Sequence, residues 1–390
     1  MLRVGLVSVD PERKWIGGRY YLQHLVQSVK ALDPAEQVDL VDVWWQSTPD
    51  DDPFAEVRGM LAERVVLRPP ATAARRIVRR VSRALHGWSD ARDLFLDARV
   101  DVLFPIAPCE NSGVPLVFWI ADFQPWRMPE LFSDELRRWY TDFFTSNGSQ
   151  AARIVVSSND GLCDLETYLP QFREKTRVLH FCSVPTEEWW HRDPVTVAHA
   201  YALPEKFFLL ANQFSHHKNH PVVFEAVRRL RARGVPVVVA CTGSTFGFRG
   251  NDYLEGIQRF LAQHDLNDAV RILDLVPRAD QVALMRRCIA LLQPSRFEGW
   301  STVVEDGKTL GKPILVSDLA VHREQAPPRG VFLPTDDAEA WAEAMERAWT
   351  QREPGPRPDE EAAGAGALAS ARLETGRMFV SVVREAAGRG

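Results

Sequence analysis

Runs of consecutive apolar and β-branched residues alternate with amphipathic stretches along both halves of the chain. In the first half the runs are RVGLVSV (3–9), VDLVDVWW (38–45), VVLR (65–68), VDVLFPI (100–106), PLVFWIAD (115–122) and RIVVSS (153–158). The second half carries KFFLLA (206–211), VPVVVACTG (235–243), VRIL (270–273), CIALLQP (288–294) and KPILVS (312–317). Strands apolar on both faces belong to parallel sheets covered by helices on both sides. Two such series predict an α/β chain with two doubly wound, Rossmann-like domains. Periodicity lapses over SVPTEEWWHRDPVTVAHAYALP (183–204), so the expected domains are 1–185 and 186–366. QREPGPRPDEEAAGAGA (351–367) reads as a linker from its proline, glycine and alanine content. A terminal helix over 367–390 is expected to pack back on the first domain.

Composition narrows the class. A chain of 390 residues is too long for one ordinary core, which agrees with two domains. A net charge of −5 carries no basic excess of the kind that nucleic-acid binding requires. The cysteines, Cys109, Cys163, Cys182, Cys241 and Cys288, form no C-x-x-C pair. They read as reduced cytoplasmic thiols rather than a disulfide framework or a zinc site. The apolar run in MLRVGLVSVD is too short for a signal peptide, and nothing approaches the roughly 18 apolar residues of a membrane span. The expected location is therefore cytoplasmic, peripheral to a membrane at most. ATAARRIVRRVSRALHGW (71–88) sets Ile77, Val78, Val81 and Leu85 on one helical stripe flanked by arginines. Such a helix either lies on anionic lipid or, more commonly, packs its stripe on its own sheet.

The chemistry concentrates in FEGWSTVVEDGKTLGKP (297–313). A buried strand precedes it, and TVVEDGKTL reads as a short helix closed by Gly311 before Lys312-Pro313. Thr302 as N-cap and Glu305 three residues on would make a capping box, a sufficient structural reason for Glu305. Glu298 and Asp306 are left without a folding role. Both fall at the carboxyl edge of the sheet, where doubly wound folds bind ligands. Between them the amides of Gly299, Trp300, Ser301, Thr302 and Val303 lie at a helix N-terminus, which favours an anion. Backbone donors for a diphosphate beside acids for sugar hydroxyls are what a nucleotide sugar needs. A loop acid beside an ordinary capped helix would share the pattern. Gly307-Lys308-Thr309 is not the end of a P-loop, because Thr302 stands where the loop needs glycine.

The stretch resembles the E-x7-E signature of glycosyltransferase family 4, with Glu298 first and Asp306, an aspartate, in the second acidic place. The resemblance implies a GT-B fold, with two Rossmann-like domains facing across a cleft. LLANQFSHHKNH (209–220) is similar to the family's basic loop: Lys218 matches a lysine that meets the donor diphosphate, and Gln213 stands where many members have arginine. ERKWIGGRYYLQHLVQSV (12–29) resembles the glycine loop after the first strand, with Gly17 and Gly18. Gly243 and Val276 complete the implied donor site. In VFWIADFQPWRMPELFSDE (117–135), relatives often carry Asp-Phe-Gln-His; Pro125 replaces the histidine here. Asp122, Gln124 and Trp126 are then the implied acceptor-side residues, with Asp122 also a candidate to cap the following turn.

The implied function is retaining transfer of a hexose from a nucleotide diphosphate sugar to a glycan or lipid-linked acceptor, in polysaccharide biosynthesis. GDP-mannose is the first expected donor and a UDP-hexose the second. Glu298, Asp122 and Lys218 are the implied catalytic residues, with no metal and no cofactor beyond the donor substrate. Asp50-Asp51-Asp52 resembles a metal-binding D-x-D only superficially. A nucleotide-sugar epimerase of the same shape and an inactive nucleotide-sugar-binding subunit remain alternatives.

Overall fold

The computed structural model describes residues 1–7, 16–45, 52–67, 95, 98–107, 112–245 and 252–389. The basic segment 71–88, Asp50, Asp51 and Cys109 lie outside the described residues. Two units divide the chain: Met1–Val184 together with Ser370–Gly390, and Pro185–Ala369.

The first unit carries β1 (Arg3–Val7), β2 (Asp39–Trp45), β3 (Glu63–Leu67), β4 (Val102–Phe104), β5 (Val117–Ile120), β6 (Arg153–Val156) and β7 (Thr176–Val178). The parallel sheet β3-β2-β1-β4 continues through one parallel bridge, Leu103 to Leu116, into β5-β6-β7. Helix α1 (Ile16–Lys30) follows β1, and α2 (Asp134–Gln150) and α3 (Asn159–Tyr168) flank β6 in sequence. Strands as apolar as VFWI are buried over their whole length, the consequence of helices covering both faces. Of the Asp50-Asp51-Asp52 triplet only Asp52 is described: it meets Arg64 at 2.8 Å and also pairs with Arg58.

In the second unit β8 (Phe208–Leu210), β9 (Val239–Cys241), β10 (Val270–Ile272), β11 (Leu291–Gln293), β12 (Ile314–Ser317) and β13 (Gly330–Leu333) form one parallel sheet, ordered β10-β9-β8-β11-β12-β13. Counted within the unit this is the 3-2-1-4-5-6 order of a dinucleotide-type fold, and the order reverses between β8 and β11. Its helices include α4 (Arg278–Arg287), α5 (Thr302–Thr309) and α6 (Ala338–Gln351). Trp341 on α6 is fully buried in the core beneath the sheet. Edge strands β7 and β13 were not legible in the pattern. TRV has two polar residues in three, and the apolar part of β13 is only Val331-Phe332-Leu333, too short a run to stand out.

The stretch read as a linker is helical from Pro358 onward. Helix α7 (Pro358–Ala386) begins in the second unit and ends in the first. Composition misleads because Gly364 is placed for contact rather than for flexibility: a Cβ there would come within 2.4 Å of the Thr309 carbonyl at the end of α5. In the first unit, Arg372 of α7 donates to the Gln27 carbonyl at 2.8 Å, and Glu385 pairs with Arg153 and Arg177. Among the described residues Cys163, Cys182, Cys241 and Cys288 are free thiols, and no helix is long and apolar enough to cross a membrane.

Gly311 closes α5 with φ +64°, and a Cβ there would lie 1.9 Å from the Glu360 carbonyl of α7. Gly234 shares the left-handed backbone, at φ +78°, but has nothing within 4 Å. Gly234→Ala should therefore cost only the left-handed conformation, about 1–2 kcal/mol. Gly311→Ala should lower the melting temperature clearly further, since backbone must move. Equal losses in thermal unfolding would show that the α5–α7 approach is not tight.

Candidate active site

The carboxyl ends of β8 and β11 meet where the strand order reverses, and the polar residues of the second unit gather there. Asn212 follows β8 and donates to Oε1 of Gln293, the last residue of β11, at 2.8 Å. Gln293 Nε2 donates in turn to Glu298 Oε1 at 2.8 Å. Ser295 Oγ reaches the same oxygen at 2.6 Å. Lys218, eighty residues away in sequence, completes the group: its Nζ lies 2.6 Å from Glu298 Oε1. Lys218 and Glu298 are 15% and 8% exposed, so this is a largely desolvated ion pair.

The pair gives Glu298 a folding role that its loop position had hidden. Removed from water, its carboxylate is charged only because Lys218, Gln293 and Ser295 surround it. Burial pushes its pKa up, but Lys218, His217 and His322 outweigh that and hold it below the ordinary value. The three donors share Oε1, and none of them bonds Oε2. Nearby, Ser317 at the end of β12 donates to the Ser295 carbonyl, and His322 Nδ1 lies 2.8 Å from the Ser317 carbonyl. Burial holds the His322 pKa down, against the pull of Glu298. His220, stacked on Phe214 at 4.4 Å, is pushed down to about 3 by burial.

The start of α5 differs from the reading of the sequence. Ser301, not Thr302, is the N-cap, and its Oγ accepts the Val304 amide at 3.4 Å. The third helical residue is thus Val304, and no capping box forms. Glu305 turns inward, 3% exposed, accepting from Gln325 at 2.9 Å and Lys308 at 3.0 Å. Burial, reinforced by Asp306, holds its pKa up despite Lys308 and Gln325. Gln325 also accepts the Ser301 amide at 3.2 Å, so that amide is already engaged. Gly299, Trp300, Thr302 and Val303 are half-buried around this turn.

Asp306 lies in the second helical turn and is 1% exposed. Its Oδ1 accepts from Arg278 Nη2 at 2.6 Å, while its buried Oδ2 has no hydrogen-bond partner. Arg278, at the start of α4, stacks over the Trp189 ring at 4.6 Å. The remaining donor-side residues share this edge of the sheet. Gln213 is exposed beside Asn212. Gly243 follows β9 with φ +134°, where a Cβ would strike the Asn212 carbonyl. Val276 is buried just before α4.

In the first unit Gly17 and Gly18 do not form a loop; they occupy the first turn of α1. Glycine is tolerated there because first-turn amides have no intrahelical partner. Asp122 Oδ1 accepts the Gln124 amide at 2.9 Å, so its capping role is realised. Gln124 is buried. Trp126, expected at an acceptor, packs in an aromatic cluster, 5.3 Å from Phe144 and 6.0 Å from Tyr168 between ring centroids.

Sequence reasoning missed Asn212, Gln293, Ser295 and Arg278. A signal existed for Gln293: a polar residue ends the apolar run CIALLQP, and a buried polar residue needs partners. Arg278 gave none.

Residues 197–364 match the family model described as glycosyl transferases group 1. The O-antigen chain mannosyltransferase C of Escherichia coli is 25% identical over 207 residues, covering 51% of this chain and 52% of that protein. The chain thus spans about half the length of this curated relative. The structure of a glycosyltransferase from Rickettsia africae superposes with a TM-score of 0.66 at 12% identity, over 99% of this chain and 98% of the other. Anabaena Alr3699/HepE, solved with UDP and glucose, gives 0.63 at 14% identity over 98% of each chain. The fold is GT-B, built of two Rossmann-like domains.

Breaking a buried ion pair from one side strands the other charge, at a cost of about 3–5 kcal/mol. Lys218→Met should lose stability of that order in denaturant unfolding, and adding Glu298→Gln should restore part of it. A double mutant as unstable as the sum of the singles would mean the pair is not coupled. The pH dependence follows from the depressed pKa of Glu298. Its contribution is complete above the ordinary value of 4.5 and is lost as the pH falls through its folded pKa. The stability gap between the parent and Glu298→Gln should therefore narrow on acidification; a constant gap would contradict the assignment.

Proposed function

We propose, for a chain whose second unit carries a group 1 glycosyltransferase domain, the retaining transfer of a hexose from a nucleotide diphosphate sugar to a glycan or lipid-linked acceptor. GDP-mannose is the favoured donor and a UDP-hexose the second, in keeping with the mannosyltransferase named among the relatives. The observation that carries the reading is the Lys218–Glu298 pair at the point where the strand order reverses. Ligands of doubly wound folds bind there. The spacing of Glu298 and Asp306 supports the resemblance to family 4.

The chemical task is to stabilise charge on the departing diphosphate as the anomeric carbon becomes cationic. Lys218 supplies a preorganised ammonium, and the amides around Gly299, Trp300, Thr302 and Val303 lie at a helix N-terminus. With Gln213 in place of an arginine, those amides carry more of the anion's charge, and no metal is invoked. Glu298 is held ionised, so it serves as an acceptor for a sugar hydroxyl through Oε2 and not as an acid toward the leaving group. The Oδ2 of Asp306 takes the ribose, while Arg278 holds the other oxygen. Asp122, Gln124 and the neighbourhood of Trp126 are assigned to the acceptor side, with Gly17 and Gly18 offering first-turn amides.

Incubation with radiolabelled GDP-mannose and UDP-hexoses separates the readings by product. A glycoside supports transfer, an epimerised nucleotide sugar supports an epimerase, and unchanged donor with tight nucleotide binding supports an inactive subunit. On the folded protein, Lys218→Ala should weaken binding of the nucleoside diphosphate by roughly 1.5–3 kcal/mol, one charge-assisted contact. The free nucleoside should bind almost as before. Equal losses for both ligands by calorimetry would show that Lys218 does not meet the phosphates.

A further inference from the structure

The opposite, amino edge of the six-stranded sheet holds a second concentration of charge. A cavity of about 280 Å³ opens there, lined by Lys312, Gln351, Arg352, Glu353, Arg357 and Glu360, with Ile289 and Pro313 beneath. Lys312 precedes β12, Gln351 ends α6, and Glu360 lies in the first turn of α7, so three elements converge on it. Both lining acids are already met by cations. Glu360 pairs with Arg329 and lies 3.8 Å from Arg357, and Glu353 lies 4.0 Å from Lys206.

Two of the lining cations are not balanced in this way. Lys312 is 5% exposed and spends its ammonium on two backbone carbonyls, Cys288 at 2.6 Å and Arg286 at 3.2 Å, with no carboxylate in ion-pair reach. The half-buried Arg352 side chain has no hydrogen-bond or ion-pair partner among the described residues. Burial pushes both pKa values down; Arg352 pushes Lys312 further the same way against Cys288, Glu360 and Glu361, and Arg329 and Arg357 push Arg352 down against Glu360. A buried lysine and a half-buried arginine that repel each other across an open hollow are relieved when an anion shares the space. At about 280 Å³ the hollow falls below the usual range of organic-ligand pockets, roughly 300–1,000 Å³.

We infer that this hollow is a second binding site, for a small oxyanion of the phosphate class, held chiefly by Arg352 with Arg357 and the buried Lys312. Arginine suits such a ligand because its planar fork of donors matches phosphate oxygens. The site is separate from the carboxyl-edge site, and the inference does not rest on the proposed transferase reaction. Bound anion would tie together the start of β12, the end of α6 and the start of α7, and would raise stability by mass action.

Isothermal titration of the full chain with inorganic phosphate, at ionic strength matched with chloride, tests it directly. The parent should bind saturably, and its melting temperature should rise with phosphate more than with chloride. Arg352→Gln should weaken phosphate binding about tenfold or more, as expected for one lost charge-assisted bond. Its melting temperature in chloride checks that it folds; Arg357→Gln, at a half-exposed position, serves as the second variant with the same expectation. Absence of saturable binding by the parent, or unchanged affinity in both variants, would overturn the site.

Discussion

The carboxyl edge of the second unit is organised around one desolvated ion pair, Lys218 with Glu298. Neither charge is stable in that position alone, because a buried ion costs several kcal/mol unless it is compensated. Compensation is shared: Gln293 and Ser295 converge on the same carboxylate oxygen as the lysine, and Asn212 orients Gln293. Satisfying one buried acid therefore fixes the loops after β8 and β11 relative to each other. The same demand leaves the second carboxylate oxygen outside the internal network. The donors around Glu298 are thus already in place in the protein without a ligand.

The neighbouring acids on α5 show how two adjacent carboxylates acquire different work. Glu305 faces Gln325 and Lys308, and through Gln325 it is linked to the backbone of Ser301, the N-cap. Its role is to hold the turn before the helix. Asp306 points to Arg278 at the start of α4, with its second oxygen buried and unbonded. A buried, unbonded carboxylate oxygen is an expense that a structure carries for a reason, and a ligand hydroxyl would relieve it. The shorter aspartate arm is matched by an arginine placed to hold it.

Helix α5 also links the two edges of its sheet. It starts four residues after Glu298 and ends at Thr309, three residues before Lys312, where the cationic hollow begins. Its C-terminal end is pressed against α7 closely enough that glycine is required at Gly311 and Gly364.

The sequence by itself determined the two α/β units, most of the strands and the stretch that carries the chemistry. Apolar runs long enough to be buried on both faces admit few other arrangements. It also marked Glu298, Asp306 and Lys218 for attention, through local chemistry and resemblance to a family. It did not determine which of the two adjacent acids, Glu305 or Asp306, is hydrogen-bonded to Gln325 and Lys308 within the fold and which keeps a buried, unbonded oxygen. The N-cap fell on Ser301 rather than Thr302, and Glu305 faces inward to Gln325 and Lys308 instead of completing a capping box. Nor could local pattern show that Lys218 and Glu298 share a hydrogen bond, that Arg278 holds Asp306, or that Gly364 belongs to a helix. Each of these depends on partners between 28 and 80 residues away or on backbone from another element. Hydrophobic periodicity encodes which face of an element is buried; the pairing of buried polar groups is settled only when the elements are packed and each donor must find an acceptor.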